Sequence, residues 1–162
     1  MTMSATARLA ALASILLFAP GPASAQSETE APDGERLQFT HVLDDEPLDV
    51  YTPREGEAFT EAVEAFHVSG ENPYSGDEEA IAEGEGIFMR SCRGCHGAGG
   101  TGGMGPALND DNVRRERAAT HKGMFEIVYG GSAGAMQPFA KRLDQDEILR
   151  VMAFVESLGA AE

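Results

Sequence analysis

The sequence predicts a mainly α-helical protein, and three observations lead there. Apolar residues recur at spacings of three and four along four separate stretches, the pattern of helices with one buried face. Two of those stretches open with a side-chain cap followed by an acid three residues on, as helix starts do. The one segment that alternates loosely, residues 37–50, contains Pro47, which has no N–H to give a ladder and argues against a central strand.

The chain opens with a segment expected to be removed. Residues 1–25 hold the single base Arg8, an apolar run from Leu9 to Ala19, a break at Pro20-Gly21-Pro22 and the small residues Ala23-Ser24-Ala25. Together these read as an export signal cleaved before Gln26. The run of eleven apolar residues is too short to span a bilayer, and no later stretch is apolar enough for a membrane span. Residues 26–36 are polar and carry Pro32-Asp33-Gly34, a disordered start. Thr52-Pro53-Arg54-Glu55 then combines a cap, a proline at the first helical position and a capping acid. A helix is expected from there, with Phe59, Ala62, Val63 and Phe66 on one face and Ser69-Gly70 as its stop.

After the turn-rich connector Glu71-Asn72-Pro73-Tyr74-Ser75-Gly76, a second helix should run from Asp77 to Ser91. Ile81, Gly84, Ile87 and Phe88 mark its buried side. Glycine weakens an isolated helix, so a close helix crossing accounts for Gly84. A middle helix from Thr120 to Tyr129 presents Met124, Phe125, Ile127 and Val128. Asp144-Gln145-Asp146-Glu147 caps the last one, whose stripe is Ile148, Val151, Met152, Val155 and Leu158. The chain thus divides into a signal peptide at 1–25, an acidic extension with one helix at 26–76 and a compact helical domain at 77–162, with no internal repeats.

Both cysteines of the chain stand in one pentapeptide, Cys92-Arg93-Gly94-Cys95-His96. In a CxxCH sequence the two thiols add across the vinyl groups of a haem, and the histidine is placed to ligate the iron. Other readings of the pair fit less well. A dithiol oxidoreductase would set it near a βαβ pattern. Structural zinc needs four Cys or His ligands in paired spacings, and His41, His67 and His121 make no second pair. The expected cofactor is therefore one covalently attached haem c, with the helices of residues 77–162 wrapped around it and the haem supplying much of the apolar surface of a small core. No cysteine is left for a disulfide. Export and c-type haem together place the protein in the periplasm.

Residues 97–108 form a glycine-rich loop, but the preceding strand and the Lys-Ser or Lys-Thr of a phosphate loop are missing. Glycines here suit backbone that passes close to a haem edge. Pro106, with a carbonyl and no N–H, suits the acceptor for the non-ligating nitrogen of His96. The iron then needs a second ligand or an open position. Among Met104, His121, Met124, Met136 and Met152, Met124 and Met152 fall on helical apolar stripes, and Met104 lies close to His96 in sequence. Met136, in a loop forty residues past His96, is the preferred ligand, with His121 the main rival. His/Met ligation would raise the reduction potential and close the iron to small ligands. With Met136 off the iron, an open position would suit a haem enzyme or a gas sensor instead.

The chain has 12 Lys and Arg against 27 Asp and Glu, a formal net charge of −15. Residues 28–85 hold 18 acids and 2 bases, whereas residues 86–162 hold 9 of each. That balance speaks against nucleic acid and anionic lipid as partners, since phosphate contacts need a basic surface. The acidic half serves either solubility or docking to a basic partner. Arg114, Arg115 and Arg117 form either a solvated helix face or partners for haem propionates or another protein.

The leader helix, CxxCH, Gly105-Pro106-x-Leu108, Met136-x-Pro138 and the C-terminal helix together resemble class I cytochrome c over residues 77–159. Phe39-Thr40-His41, Glu46-Pro47-Leu48-Asp49, Gly70-Glu71-Asn72-Pro73-Tyr74, Gly105-Pro106-Ala107-Leu108-Asn109 and Phe125 to Gly131 resemble the cytochrome c-L family in particular, over residues 37–159. The resemblance implies the class I cytochrome c fold, Cys92 and Cys95 as attachment cysteines, and His96 and Met136 as proximal and distal ligands. It also implies a carrier and not an enzyme. Such a carrier takes single electrons from the pyrroloquinoline quinone of a methanol dehydrogenase, calcium or lanthanide form, and delivers them to another cytochrome c. A general class I cytochrome c serving another periplasmic dehydrogenase is the alternative. The chain departs from the family at residues 110–117, where an aromatic-bearing segment is frequent, and at Gln137, where glycine is common.

Overall fold

The computed structural model describes residues 36–110 and 116–159. The export signal, the polar start before Arg36, and Arg114 and Arg115 lie outside the described residues. Helix α1, Glu61–Ser69, is capped by Thr60, whose hydroxyl accepts from Val63 N, and ends at Gly70 in the left-handed conformation. Helix α2, Glu78–Ser91, is capped by Asp77 and runs into the single turn α3, Arg93–His96. A 3₁₀ turn, Glu116–Ala119, leads into α4, His121–Gly130, capped by Thr120. Helix α5, Gln145–Gly159, opens on a reciprocal box in which Asp144 Oδ1 accepts from Glu147 N at 2.8 Å and Glu147 Oε2 accepts from Asp144 N at 3.1 Å.

One expected boundary is wrong. The first helix begins at Glu61, not at Pro53, and Phe59 lies outside it. Local competition explains the delay. The carboxylate of Asp49 takes the N–H groups of Tyr51 and Thr52 at 3.2 and 3.0 Å, a side-chain turn in place of a helix start. Glu57 takes Arg54 N at 3.0 Å, and Gly56 sits at φ +84°, outside any helix. The segment 37–50 forms no strand, as Pro47 suggests, but closes into a hairpin-like turn with one antiparallel bridge between Thr40 and Pro47.

Helices α2 and α5 cross at the centre of the molecule. A Cβ on Gly84 would lie 2.1 Å from the carbonyl oxygen of Arg150 and 3.0 Å from Phe154 Cβ, so only glycine allows the two backbones to approach this closely. Ile87 and Phe88 from α2 and Ile148, Leu149, Val151 and Met152 from α5 are buried around the crossing. The residues before Asp77 share the same core. Phe39, Val50, Val63 and Phe66 are buried with Phe125 of α4, and the rings of Phe39 and Phe66 lie 5.6 and 4.9 Å from that of Phe125.

Polar contacts tie the extension down. Buried Glu126 accepts from Thr40 N at 2.8 Å and pairs with Lys122 and Arg117, so its charge is compensated where removal from water would otherwise be costly. Arg117 also pairs with Asp45 at 2.6 Å and donates to His41 O at 3.3 Å. This arginine therefore clamps the extension to α4 and is not part of a solvated face. Buried His67 meets Gln145 Oε1 at 2.8 Å, while Gln145 Nε2 donates to Val50 O at 2.8 Å. Since the amide oxygen can only accept, His67 Nε2 carries the proton. Burial holds the His67 pKa below its ordinary value of 6.5.

Candidate functional site

The CxxCH sequence lies where α2 turns into α3. Cys92 caps α2, its N–H donating to Phe88 O at 2.8 Å, and its carbonyl then accepts from Cys95 N and His96 N at 3.1 Å each. One tight turn thus sets two free, half-buried thiols and a buried imidazole on adjoining positions. Burial pushes the Cys92 thiol up to about 11, against the weaker pull of the Arg142 and Arg90 guanidiniums. The direction of this shift is opposite to the lowering on which dithiol oxidoreductases rely.

The glycine-rich loop folds back over His96. His96 Nδ1 donates to Pro106 O at 2.9 Å, the bond expected from the sequence. Gly102 N donates to His96 O at 2.8 Å and Gly105 N to Cys95 O at 2.9 Å, so the loop is laced to α3 by its backbone. A Cβ on Gly105 would lie 2.8 Å from His96 Cε1, and one on Gly100 would lie 2.7 Å from Leu158 Cδ1. Gly105 and Gly100 are therefore required by contacts within the chain, with the imidazole and with the end of α5. Among the described residues nothing hydrogen-bonds His96 Nε2, whose lone pair is the one a metal would take once Nδ1 holds the proton.

Met136 sits in the loop between α4 and α5, half-buried against the core. Ser132 N donates to Met136 O at 3.0 Å, and Phe139 N and Ala140 N donate to Val128 O and Tyr129 O, which fixes the loop onto α4. The other candidates are placed elsewhere. Met152 is fully buried at the helix crossing, Met124 packs against the core and Met104 is exposed. His121 is engaged at both nitrogens: Nδ1 meets Asn72 N at 3.0 Å and Glu71 at 2.8 Å, and Nε2 faces Glu156 at 3.1 Å. The structure thus gathers Cys92, Cys95, His96 and Pro106 into one unit and holds Met136 on a separate loop. Two free thiols, an imidazole with one unclaimed nitrogen and a half-buried thioether form a donor set that fits a covalently held haem.

The Glu71-Asn72-Pro73-Tyr74 turn has a structural role that its sequence did not disclose. Asn72 Nδ2 donates to Leu149 O at 2.9 Å, Tyr74 OH to Asp146 Oδ1 at 2.6 Å, and Arg150 stacks 4.4 Å above the Tyr74 ring. The turn clamps the N-terminal half of α5 against the extension.

Over 137 residues the chain is 36% identical to cytochrome c-L of Methylorubrum extorquens, covering 85% of this chain and 68% of that one. The chain belongs to the cytochrome c-L family. Its backbone matches the crystal structure of cytochrome cL from the marine methylotroph Methylophaga aminisulfidivorans with a TM-score of 0.72 at 45% identity, over 75% of this chain and 81% of that one. Cytochrome cL from Hyphomicrobium denitrificans matches with a TM-score of 0.69 at 35% identity, over 75% and 73%. Residues 79–155 match the family model described as cytochrome c oxidase, cbb3-type, subunit III. The fold is that of a class I cytochrome c, and the protein is an electron carrier with covalently bound haem c and not an enzyme. No helix of the described residues of this cytochrome is long and apolar enough to cross a membrane.

One residue on the Met136 loop escaped the sequence reading. Ser132 Oγ is buried and meets no hydrogen-bond partner among the described residues. A serine among the small residues that follow α4 carries no motif, so nothing in the sequence would have singled it out.

Proposed function

We propose that Cys92 and Cys95 would hold the haem through two thioether bonds, that His96 Nε2 and Met136 Sδ would ligate its iron, and that the protein carries electrons in the periplasm after cleavage behind Ala25. It accepts them singly from a quinoprotein methanol dehydrogenase and passes them to another cytochrome c. The observation that carries this reading is the bond from His96 Nδ1 to Pro106 O beside the paired free thiols, because it fixes the tautomer and aims the second nitrogen.

The bound haem supplies a one-electron iron couple; the protein supplies position and environment. The Pro106 carbonyl orients the His96 ring and raises its basicity. Gly105, lacking a Cβ, lets the loop press on that ring. A thioether from Met136 would favour the reduced state and close the iron to small ligands, as a carrier requires. Gly103, Met104 and Ala135 are exposed on the two loops that flank the site and offer a nearly uncharged contact rim for a partner. Glu61, Glu78 and Glu79 are exposed and Glu64 is half-buried at the starts of α1 and α2, acids suited to steering a basic dehydrogenase surface from a distance.

The test is reduction of the oxidised cytochrome by purified methanol dehydrogenase, in calcium and in lanthanide form, without dyes. Rapid reduction by either form supports the assignment and identifies the partner. Reduction by neither contradicts it.

A further inference from the structure

Ser132 follows Gly131 just beyond the end of α4, at the base of the loop that carries Met136. Buried hydroxyls in folded proteins nearly always have a hydrogen-bond partner, so an orphaned one calls for an explanation. Two buried side-chain oxygens among the described residues lack a hydrogen bond. Glu156 Oε1 faces His121 Nε2 at 3.1 Å, whereas no ion pair or hydrogen bond accounts for Ser132 Oγ.

The loop does not need this hydroxyl for its shape. Its backbone already closes it, through Ser132 N to Met136 O at 3.0 Å and Phe139 N to Val128 O at 3.0 Å. Gly131 adds a second constraint: at φ +79°, a Cβ there would lie 3.0 Å from Met136 O and 2.9 Å from Pro138 N. A donor on the Met136 loop with no partner among the described residues is available to a group bound beside that loop. The strong acceptors of a haem are its two propionate carboxylates, and hydrogen bonds to ionised acceptors are the stronger kind. A chain with a formal charge of −15 has particular need of donors to carboxylates that it must hold close to itself.

We propose that Ser132 is a positioning residue for the cofactor, its hydroxyl donating a hydrogen bond to a haem propionate. The inference rests on the haem site assigned above. Loss of the donor leaves the propionate charge less offset, which favours ferric iron.

The test uses the full haem-loaded protein as wild type, Ser132→Ala and Ser132→Thr. Since backbone bonds shape the loop, removing one oxygen leaves the fold in place. Ser132→Ala should shift the propionate bending band in the resonance Raman spectrum and lower the reduction potential, with the sulfur-to-iron charge-transfer band unmoved. Ser132→Thr, which keeps the hydroxyl, should bring both values back toward wild type. A propionate band at its wild-type position in Ser132→Ala would overturn the proposal. So would a displaced sulfur-to-iron band beside a fixed propionate band, which would assign the hydroxyl to Met136. Wild-type protein without covalent haem would overturn the site assignment itself, a failure distinct from either of these.

Discussion

Gly84 of α2 and Arg150 of α5 meet backbone to backbone: a Cβ on the glycine would lie 2.1 Å from the arginine carbonyl oxygen. The crossing places the end of α2, and with it Cys92, against the rest of the core. Gly84→Ala gains about 1 kcal/mol of helix propensity but must force the helices apart. Overpacking of that kind typically costs about 1–3 kcal/mol, so the variant should be less stable than wild type in a urea melt. Gly86 lies on the same helix with nothing within 4 Å of its would-be Cβ. Gly86→Ala should therefore raise stability by up to about 1 kcal/mol, and an equal loss in both variants would refute the crossing as the cause.

His67 gives the fold a dependence on pH. Its folded pKa lies below 6.5 because burial disfavours the charged ring, so below pH 6.5 the unfolded chain binds more protons than the folded one. Stability from this residue is present above pH 6.5 and is lost as pH falls beneath it, by up to about 1.4 kcal/mol per pH unit until the folded pKa is reached. His67→Gln keeps a donor for Gln145 but cannot titrate. Its denaturation midpoints should be lower than wild type at pH 7 and fall less steeply between pH 6.5 and 5; parallel profiles would remove His67 as the source.

What the sequence disclosed follows the range of the interactions involved. Cys92, Cys95 and His96 stand out in the sequence because the proposed haem attachment needs them within one turn, and the Asp144 box because capping is local. Gly84 and Pro106 were legible through chemistry: a glycine costs too much in a helix without a reason, and a proline offers only a carbonyl. The start of α1 was misread because Thr52-Pro53-Arg54-Glu55 carries every cap signal, while the capture of the Tyr51 and Thr52 N–H groups by Asp49 leaves no mark in the pattern. Contacts between distant segments were out of reach. Arg117 with Asp45, His121 with Asn72 and Tyr74 with Asp146 are separated by 72, 49 and 72 residues.

Docking should depend on salt. Steering by exposed acids is screened over about 8 Å at physiological ionic strength. Reduction by methanol dehydrogenase should slow as salt is raised. Replacing Glu61, Glu64, Glu78 and Glu79 with glutamine should flatten that dependence and leave the haem spectrum unchanged, as followed by stopped-flow absorbance. A rate indifferent to salt in the parent protein would give association to apolar contacts and leave the acids a role in solubility.

The central claim is an iron held between His96 and Met136, and the spectrum of Met136→Ala tests it most directly. The oxidised wild type should show a sulfur-to-iron charge-transfer band, and the reduced wild type should not bind carbon monoxide. Met136→Ala should lose the band and bind carbon monoxide when reduced, with the haem still covalently attached through Cys92 and Cys95. A band that persists in Met136→Ala would contradict the account and move the ligand to another residue.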